Sequence, residues 1–136
     1  MSFEVVEKFE NKIAEFFGSP YAVAVDSCTH GLELCLRYKN VKKIVVPKRT
    51  YISVPFLANK LNIELEWKDE QWSEFYELGD TKIFDSAVLW GHNRYVSGSM
   101  MCLSFQFRKH LNLGRGGMIL LDDPDALEEL KKITGK

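Results

Sequence analysis

From residue 3 to residue 17 the apolar positions fall at helical spacing. Phe9, Ile13, Phe16 and Phe17 share one stripe, and Glu7, Lys8, Asn11 and Lys12 lie away from it, which predicts a helix with one buried face. Gly18-Ser19-Pro20 stops it. Tyr21 to Val25 is an unbroken apolar run, read as a buried strand. Ser27 and Thr29 then open a second helix whose core candidates are Leu32, Leu34, Cys35 and Leu36. A second strand, Lys43 to Val46, ends at Pro47. A third helix is predicted between Thr50 and Asn59, where Pro55 is tolerable only near the first turn. Ile63 to Trp67 alternates as a strand does. The polar, aromatic segment from Asp69 to Leu78 is predicted to hold a short helix. Short strands follow at 81–84, 100–105 and 118–121. Asp122 or Asp123 caps a final helix, with Pro124 in its first turn and Leu127, Leu130 and Ile133 on its inner face.

Short apolar strands alternating with helices predict an α/β fold with a mostly parallel sheet. The 136 residues suit one domain spanning 1–136, and 46% hydrophobic with 27% charged positions suits a folded globule. The net charge of -1 gives no electrostatic reason to expect nucleic acid or an anionic membrane as partner. No run reaches the roughly 20 apolar residues that span a bilayer. Cys28, Cys35 and Cys102 are odd in number, and neither they nor His30, His92 and His110 have metal-ligand spacing. A cytoplasmic protein without a metal is the expectation. Trp67, Trp72 and Trp90 read as packing, and His92 with Arg94 as a solvated loop or a contact to a substrate phosphate.

Ligands of such sheets bind beyond the carboxyl ends of the strands, so four loops matter most. Asp26-Ser27-Cys28-Thr29-His30-Gly31 joins a strand to a helix. It is either an ordinary N-cap or a phosphate site made of helix N–H groups and hydroxyls. In Pro47-Lys48-Arg49-Thr50-Tyr51 the aromatic either packs or stacks on a flat ring. In Asp85-Ser86-Ala87 the carboxylate either caps a turn or meets a cation. The loop from Ser104 to Gly117 is the most specific. Its glycines allow close backbone approach, and Lys109 stands between Arg108 and His110. Neighbouring cations and partial burial lower a lysine's pKa from about 10.4 toward the nucleophilic range. A basic surface turn is the bland alternative.

Together these loops resemble the DegT/StrS family of pyridoxal-phosphate (PLP) sugar aminotransferases, whose architecture is fold type I. Tyr21 to Val25 with Ser27-Cys28-Thr29 resembles the family's first strand and Ser-Gly-Thr turn. Pro47 to Tyr51 resembles its Pro-x-x-Thr-aromatic signature, and Asp85 to Gly91 its Asp-x-Ala-Gln-x-x-Gly element. Its lysine element, Ser-Phe-x-x-x-Lys-x-Leu-x-x-Gly-x-Gly-Gly, is filled at every fixed position by Ser104, Phe105, Lys109, Leu111, Gly114, Gly116 and Gly117.

The resemblance implies a three-layer fold, a reduced version of the family's large domain. It implies that Lys109 is the Schiff-base lysine and Asp85 the partner of the pyridine nitrogen. Tyr51 would stack on the ring. Ser104, Thr29 and the backbone at Cys28 would hold the phosphate, with Ser27 and Ala87 in the same cofactor-binding set. It further implies transfer of an amino group from an amino acid such as glutamate to a nucleotide-linked keto sugar, in a homodimer whose second subunit helps complete the site. Arg115 is placed to reach the partner's phosphate. Lysine rather than histidine at position 109 argues against the family's deoxygenating branch.

The chain also departs from the pattern. Val88 stands where the family has Gln, and Cys28 where it has Gly. The interval from Trp67 to Asp85 is too short for the strand and helix usually found there, and no small domain follows Lys136. Two alternatives therefore stand beside the enzyme: a non-catalytic module or partner subunit that binds PLP or a nucleotide sugar, and an α/β domain holding another phosphate ligand at Ser27–Thr29. A second register is open as well, in which Thr81 to Gly91 resembles the family's preceding Thr-Lys-x-x-x-x-x-His-x-x-Gly element and Asp85 does not face the pyridine.

Overall fold

A computed structural model describes residues 3–105 and 115–136. The elements run α1 (Phe3–Phe17), β1 (Tyr21–Val25), α2 (Cys28–Tyr38), β2 (Lys43–Pro47), α3 (Ser53–Lys60), β3 (Glu64–Lys68), β4 (Tyr76–Glu77), β5 (Ile83–Asp85), β6 (Met100–Ser104), β7 (Gly117–Leu121) and α4 (Pro124–Ile133). A five-stranded sheet has the order β1-β7-β6-β5-β4, and β2 pairs with β3 in a separate ribbon. The α/β class read from the sequence is the one observed, with helices flanking the sheet.

Strand direction is more mixed than the alternation predicted. Among the described residues β7 runs antiparallel to both β1 and β6, β4 runs antiparallel to β5, and only β5–β6 and β2–β3 are parallel. The reason is connectivity. β4 returns directly into β5 through a tight turn at Gly79 and Lys82, both at positive φ, and a short turn can join only antiparallel neighbours.

The two central strands are buried on both faces, and the period of two divides their side chains between two cores. Met100 and Cys102 of β6, with Ile119 and Leu121 of β7, face α2, β2 and α4. Met101 and Leu103, with Met118 and Leu120, face Ile13, Ala14 and Phe17 of α1 and Leu89. This makes three layers, and it explains why these strands read as continuous apolar runs rather than as alternating ones. On α1 the stripe packs as predicted: Phe17 is fully buried and stands edge-on to Trp90, while Phe16 stacks on Trp90. Asp123, not Asp122, caps α4, accepting from the Asp125 N–H at 3.0 Å.

Two expectations are corrected. Residues 69–78 hold no helix; bends lead into the short strand β4. Trp67 is 49% exposed on the outer strand β3 and is not packing. The charged Glu10 lies inside. It accepts from the Ala24 N–H at 2.7 Å and from the Lys136 ammonium at 2.9 Å, and the same ammonium reaches the Ala24 carbonyl at 2.6 Å. An ion pair this buried is kept by its hydrogen bonds, since isolated charge is expensive to desolvate.

Candidate functional site

α2 starts directly against the sheet. Ser27 is its N-cap, with the hydroxyl accepting from the His30 N–H at 3.0 Å, so the capping interpretation holds for that side chain. Ser27 also bridges to Gly116. The contact below is tight. A Cβ on Gly117 would lie 2.7 Å from the Leu103 carbonyl oxygen and 2.8 Å from both the Cys28 nitrogen and the Ser27 carbonyl carbon. The glycine therefore lets the positive end of α2 sit at the carboxyl ends of β5 and β6.

A cavity of about 240 Å³ opens at that edge, lined by Cys28, Thr29, Tyr51, Asp85, Ala87 and Ser104, with Leu32, Ile52 and Ser53 completing the wall. The first six are positions chosen from the sequence, drawn from four separate motifs. Ser27, which caps α2, is not among the lining residues. Lys109 lies outside the described residues, as do the other positions of its loop from 106 to 114. Ile52 and Ser53 were not legible as lining residues, and Leu32 is the α2 core position expected of it. The hydroxyl of Ser53 accepts from that of Thr29 at 3.1 Å, so the two act as a pair at the helix start. Tyr51 is 50% exposed and lines the cavity rather than the core.

Asp85 ends β5 and is 4% exposed. Its Oδ1 accepts from the Ala87 N–H at 3.1 Å, with the Cys28 sulfur at 3.8 Å, and its Oδ2 accepts from the Tyr76 hydroxyl at 3.0 Å. Tyr76, also missed, is buried and bonded a second time to the Thr50 hydroxyl. Burial and then the Asp85 charge push the Tyr76 phenol well above its ordinary pKa. Beneath the cavity the Cys28 thiol donates to the Cys102 carbonyl at 3.3 Å, and Cys102 lies 3.8 Å from Cys35, sulfur to sulfur. Burial raises the Cys102 thiol, and its bond to Cys35 adds to this.

Other candidates fall away from the cavity. Arg94 makes two bonds to the Glu74 carboxylate at 2.9 and 3.0 Å, which fits the solvated-loop interpretation. His30 sits 3.7 Å from Asp26. Arg115 is exposed. No metal-binding cluster of His, Cys, Asp and Glu occurs among the described residues, and none of their helices is long and apolar enough to cross a membrane.

The donor set suits PLP. A buried carboxylate answers a protonated ring nitrogen, a helix N-terminus with paired hydroxyls answers a phosphate, and a half-exposed tyrosine answers a flat ring.

Residues 1–65 match the DegT/DnrJ/EryC1/StrS aminotransferase family, a stretch that holds the first two motifs of the resemblance, at 27–29 and 47–51. No curated protein matches the chain in sequence. Among solved structures, 3-amino-5-hydroxybenzoic acid synthase is 22% identical with a TM-score of 0.73, over 92% of this chain and 45% of its own. The sugar aminotransferase CalS13 from Micromonospora echinospora is 17% identical with a TM-score of 0.77, over 93% and 48%. DesI, in the presence of its TDP-sugar product, is 18% identical with a TM-score of 0.77, over 94% and 44%. These likenesses show the fold. The chain spans less than half the length of each of these structures.

Proposed function

We propose that this chain, which shares the fold of the DegT/StrS aminotransferases and matches their family over its first 65 residues, binds PLP and works as a sugar aminotransferase. One observation carries the proposal: six positions chosen from four separated motifs line a single cavity. The same observation favours the register with Asp85 at the cofactor, because Asp85 shares that cavity with Ser104 and Thr29.

The chain's own residues divide the work. The α2 N-terminus with Thr29, Ser104 and the backbone at Cys28 holds the phosphate. Ala87 fixes Asp85 through its N–H, and Tyr51 covers the ring. Asp85, buried at the end of β5, would hold a proton on the ring nitrogen. The cofactor, when bound, supplies an electron sink for the carbanion of amino transfer. Lys109 would anchor the cofactor, and its amine would serve as the group that moves a proton during amino transfer. Glutamate is the proposed donor and a nucleotide-linked keto sugar the proposed acceptor, a chemistry that belongs to polysaccharide biosynthesis in the cytoplasm. A homodimer would cover the open Tyr51 side of the cavity. In this proposal residues 1–136 form one unit equivalent to a reduced large domain.

Val88, half-buried where the family has a hydrogen-bonding Gln, favours a second possibility, a non-catalytic module or partner subunit. Absorbance of the purified chain with PLP, before and after borohydride, decides between them. A visible band that borohydride traps on Lys109, and that Lys109→Ala lacks, is the expected result. Absence of any band would overturn the enzyme proposal.

A further inference from the structure

We infer that Tyr76 is a positioning residue for the Asp85 carboxylate, and that Thr50 fixes the direction of the hydrogen bond through which it acts. The cofactor half of this inference rests on the proposed function; the contact between the three side chains does not.

β4 is two residues long, and its register sets Tyr76 directly opposite Asp85. Directly opposed residues of an antiparallel pair project to the same face, so the ladder itself brings the phenol to the carboxylate. With the Ala87 N–H on Oδ1 and the Tyr76 hydroxyl on Oδ2, both oxygens are held and the carboxylate plane cannot turn.

Proton accounting sets the direction. An ionised carboxylate only accepts, and a phenol has one proton. That proton goes to Asp85, so at the second contact the Thr50 hydroxyl must be the donor and Tyr76 Oη the acceptor. The order is Thr50 to Tyr76 to Asp85. Burial keeps the phenol protonated, so Tyr76 remains a donor across the working pH range. A donor on a carboxylate draws off charge and lowers its basicity. Tyr76 thus sets both the angle and the proton affinity with which Asp85 meets a ring nitrogen. Neither effect needs Tyr76 to touch the cofactor.

The test compares wild type with Tyr76→Phe, Asp85→Asn, the double variant and Thr50→Val. Phe keeps the ring that packs at 4.9 Å from Trp72, so folding should survive. The first readout is PLP affinity by absorbance titration. Tyr76→Phe should weaken it roughly tenfold, the scale of one hydrogen bond to a charged group, yet cause no further loss in the Asp85→Asn background. Equal losses in both backgrounds would mean a packing role and overturn the inference. Thr50→Val should cost less than Tyr76→Phe, because the phenol keeps its proton on Asp85; a larger cost would overturn the assigned direction. The second readout needs no cofactor: the carbon resonance of the Asp85 carboxyl followed against pH in the apo chain. Its titration should move to higher pH in Tyr76→Phe, and an unchanged midpoint would sink the inference. Should wild type bind no PLP, the proposed function fails and this apo titration alone decides the role of Tyr76.

Discussion

Replacing Gly117 by alanine tests how the site is built into the sheet. Gly117 opens β7, opposite Val25 of β1 and Ser104 of β6. The added methyl would lie 2.7 Å from the Leu103 oxygen, 2.8 Å from the Cys28 nitrogen and 2.8 Å from the Ser27 carbonyl carbon. Each distance is about half an ångström or more inside the optimal carbon contact. All three atoms are backbone, so no rotamer change relieves the clash. Either the start of α2 lifts or the β6–β7 ladder opens. Overpacking costs about 1–3 kcal/mol, and a clash with fixed atoms on two sides belongs at the upper end. Unfolding entropy of about 2.1 cal/mol/K per residue converts about 3 kcal/mol into a fall in Tm of roughly 10 °C for a chain of 136 residues. Thermal melts followed by circular dichroism measure it. Gly135→Ala is the control, since its Cβ meets nothing within 4 Å and only its φ of +76° opposes the change; the left-handed backbone there costs about 1–2 kcal/mol. A Gly117→Ala protein that melts within about 2 °C of wild type, or above Gly135→Ala, would refute the reasoning, because the start of α2 would then not depend on the missing side chain.

Glu10→Ala should cost about 2 kcal/mol in urea unfolding, because it takes the carboxylate from the partly buried Lys136 ammonium and the acceptor from the Ala24 N–H; a loss below about 1 kcal/mol would place that pair in solvent. For Glu33, burial alone would raise the carboxyl, but hydrogen bonds and charges from Lys60 and Arg37 outweigh it and hold the group below its usual range. Its stabilisation is complete above the unfolded pKa and lost as pH falls through the folded one, so Glu33→Gln should lower Tm near about pH 7 and leave it unchanged near about pH 2; an equal drop at both would contradict this. Cys35 and Cys102 are fully buried and the Cys102 thiol is raised, so neither should be alkylated in the folded chain at about pH 8; mass spectrometry showing Cys102 labelled as fast as in urea would refute that.

Much of the fold follows from local signals that tertiary packing did not overrule. The α1 stripe and the α2 core positions come from periodicity, the three layers follow from the family resemblance, and strand ends differ from expectation by only a residue or two. Pro55 sits in the first turn of α3, where a missing N–H costs nothing. The misses share a cause: each depends on a partner distant in sequence. Glu10 lies on an amphipathic helix and looks like a solvated face, but its partner is Lys136. Strand direction depends on which strands become neighbours, which periodicity does not encode.

The segment between β3 and β5 shows why the carboxylate was legible and its support was not. Asp85 follows a short apolar strand, so its place at the functional edge is a local inference. Tyr76 lies among polar and aromatic residues with no period of either kind, and only strand pairing gives it a role. Among the described residues β2 pairs only with β3, and the β4–β5 turn closes against β2, with Gly79 so near that a Cβ there would sit 3.2 Å from the Val45 nitrogen. That close approach holds β4 where Tyr76 faces Asp85. A side chain at Gly79 would therefore act at a distance, loosening the hydrogen bond to Asp85 without touching the cavity. Gly79→Ala should weaken PLP binding in the same direction as Tyr76→Phe, and the two losses should not add, since both act through one hydrogen bond. Additive losses in the double variant would show that the turn and the phenol support the site separately.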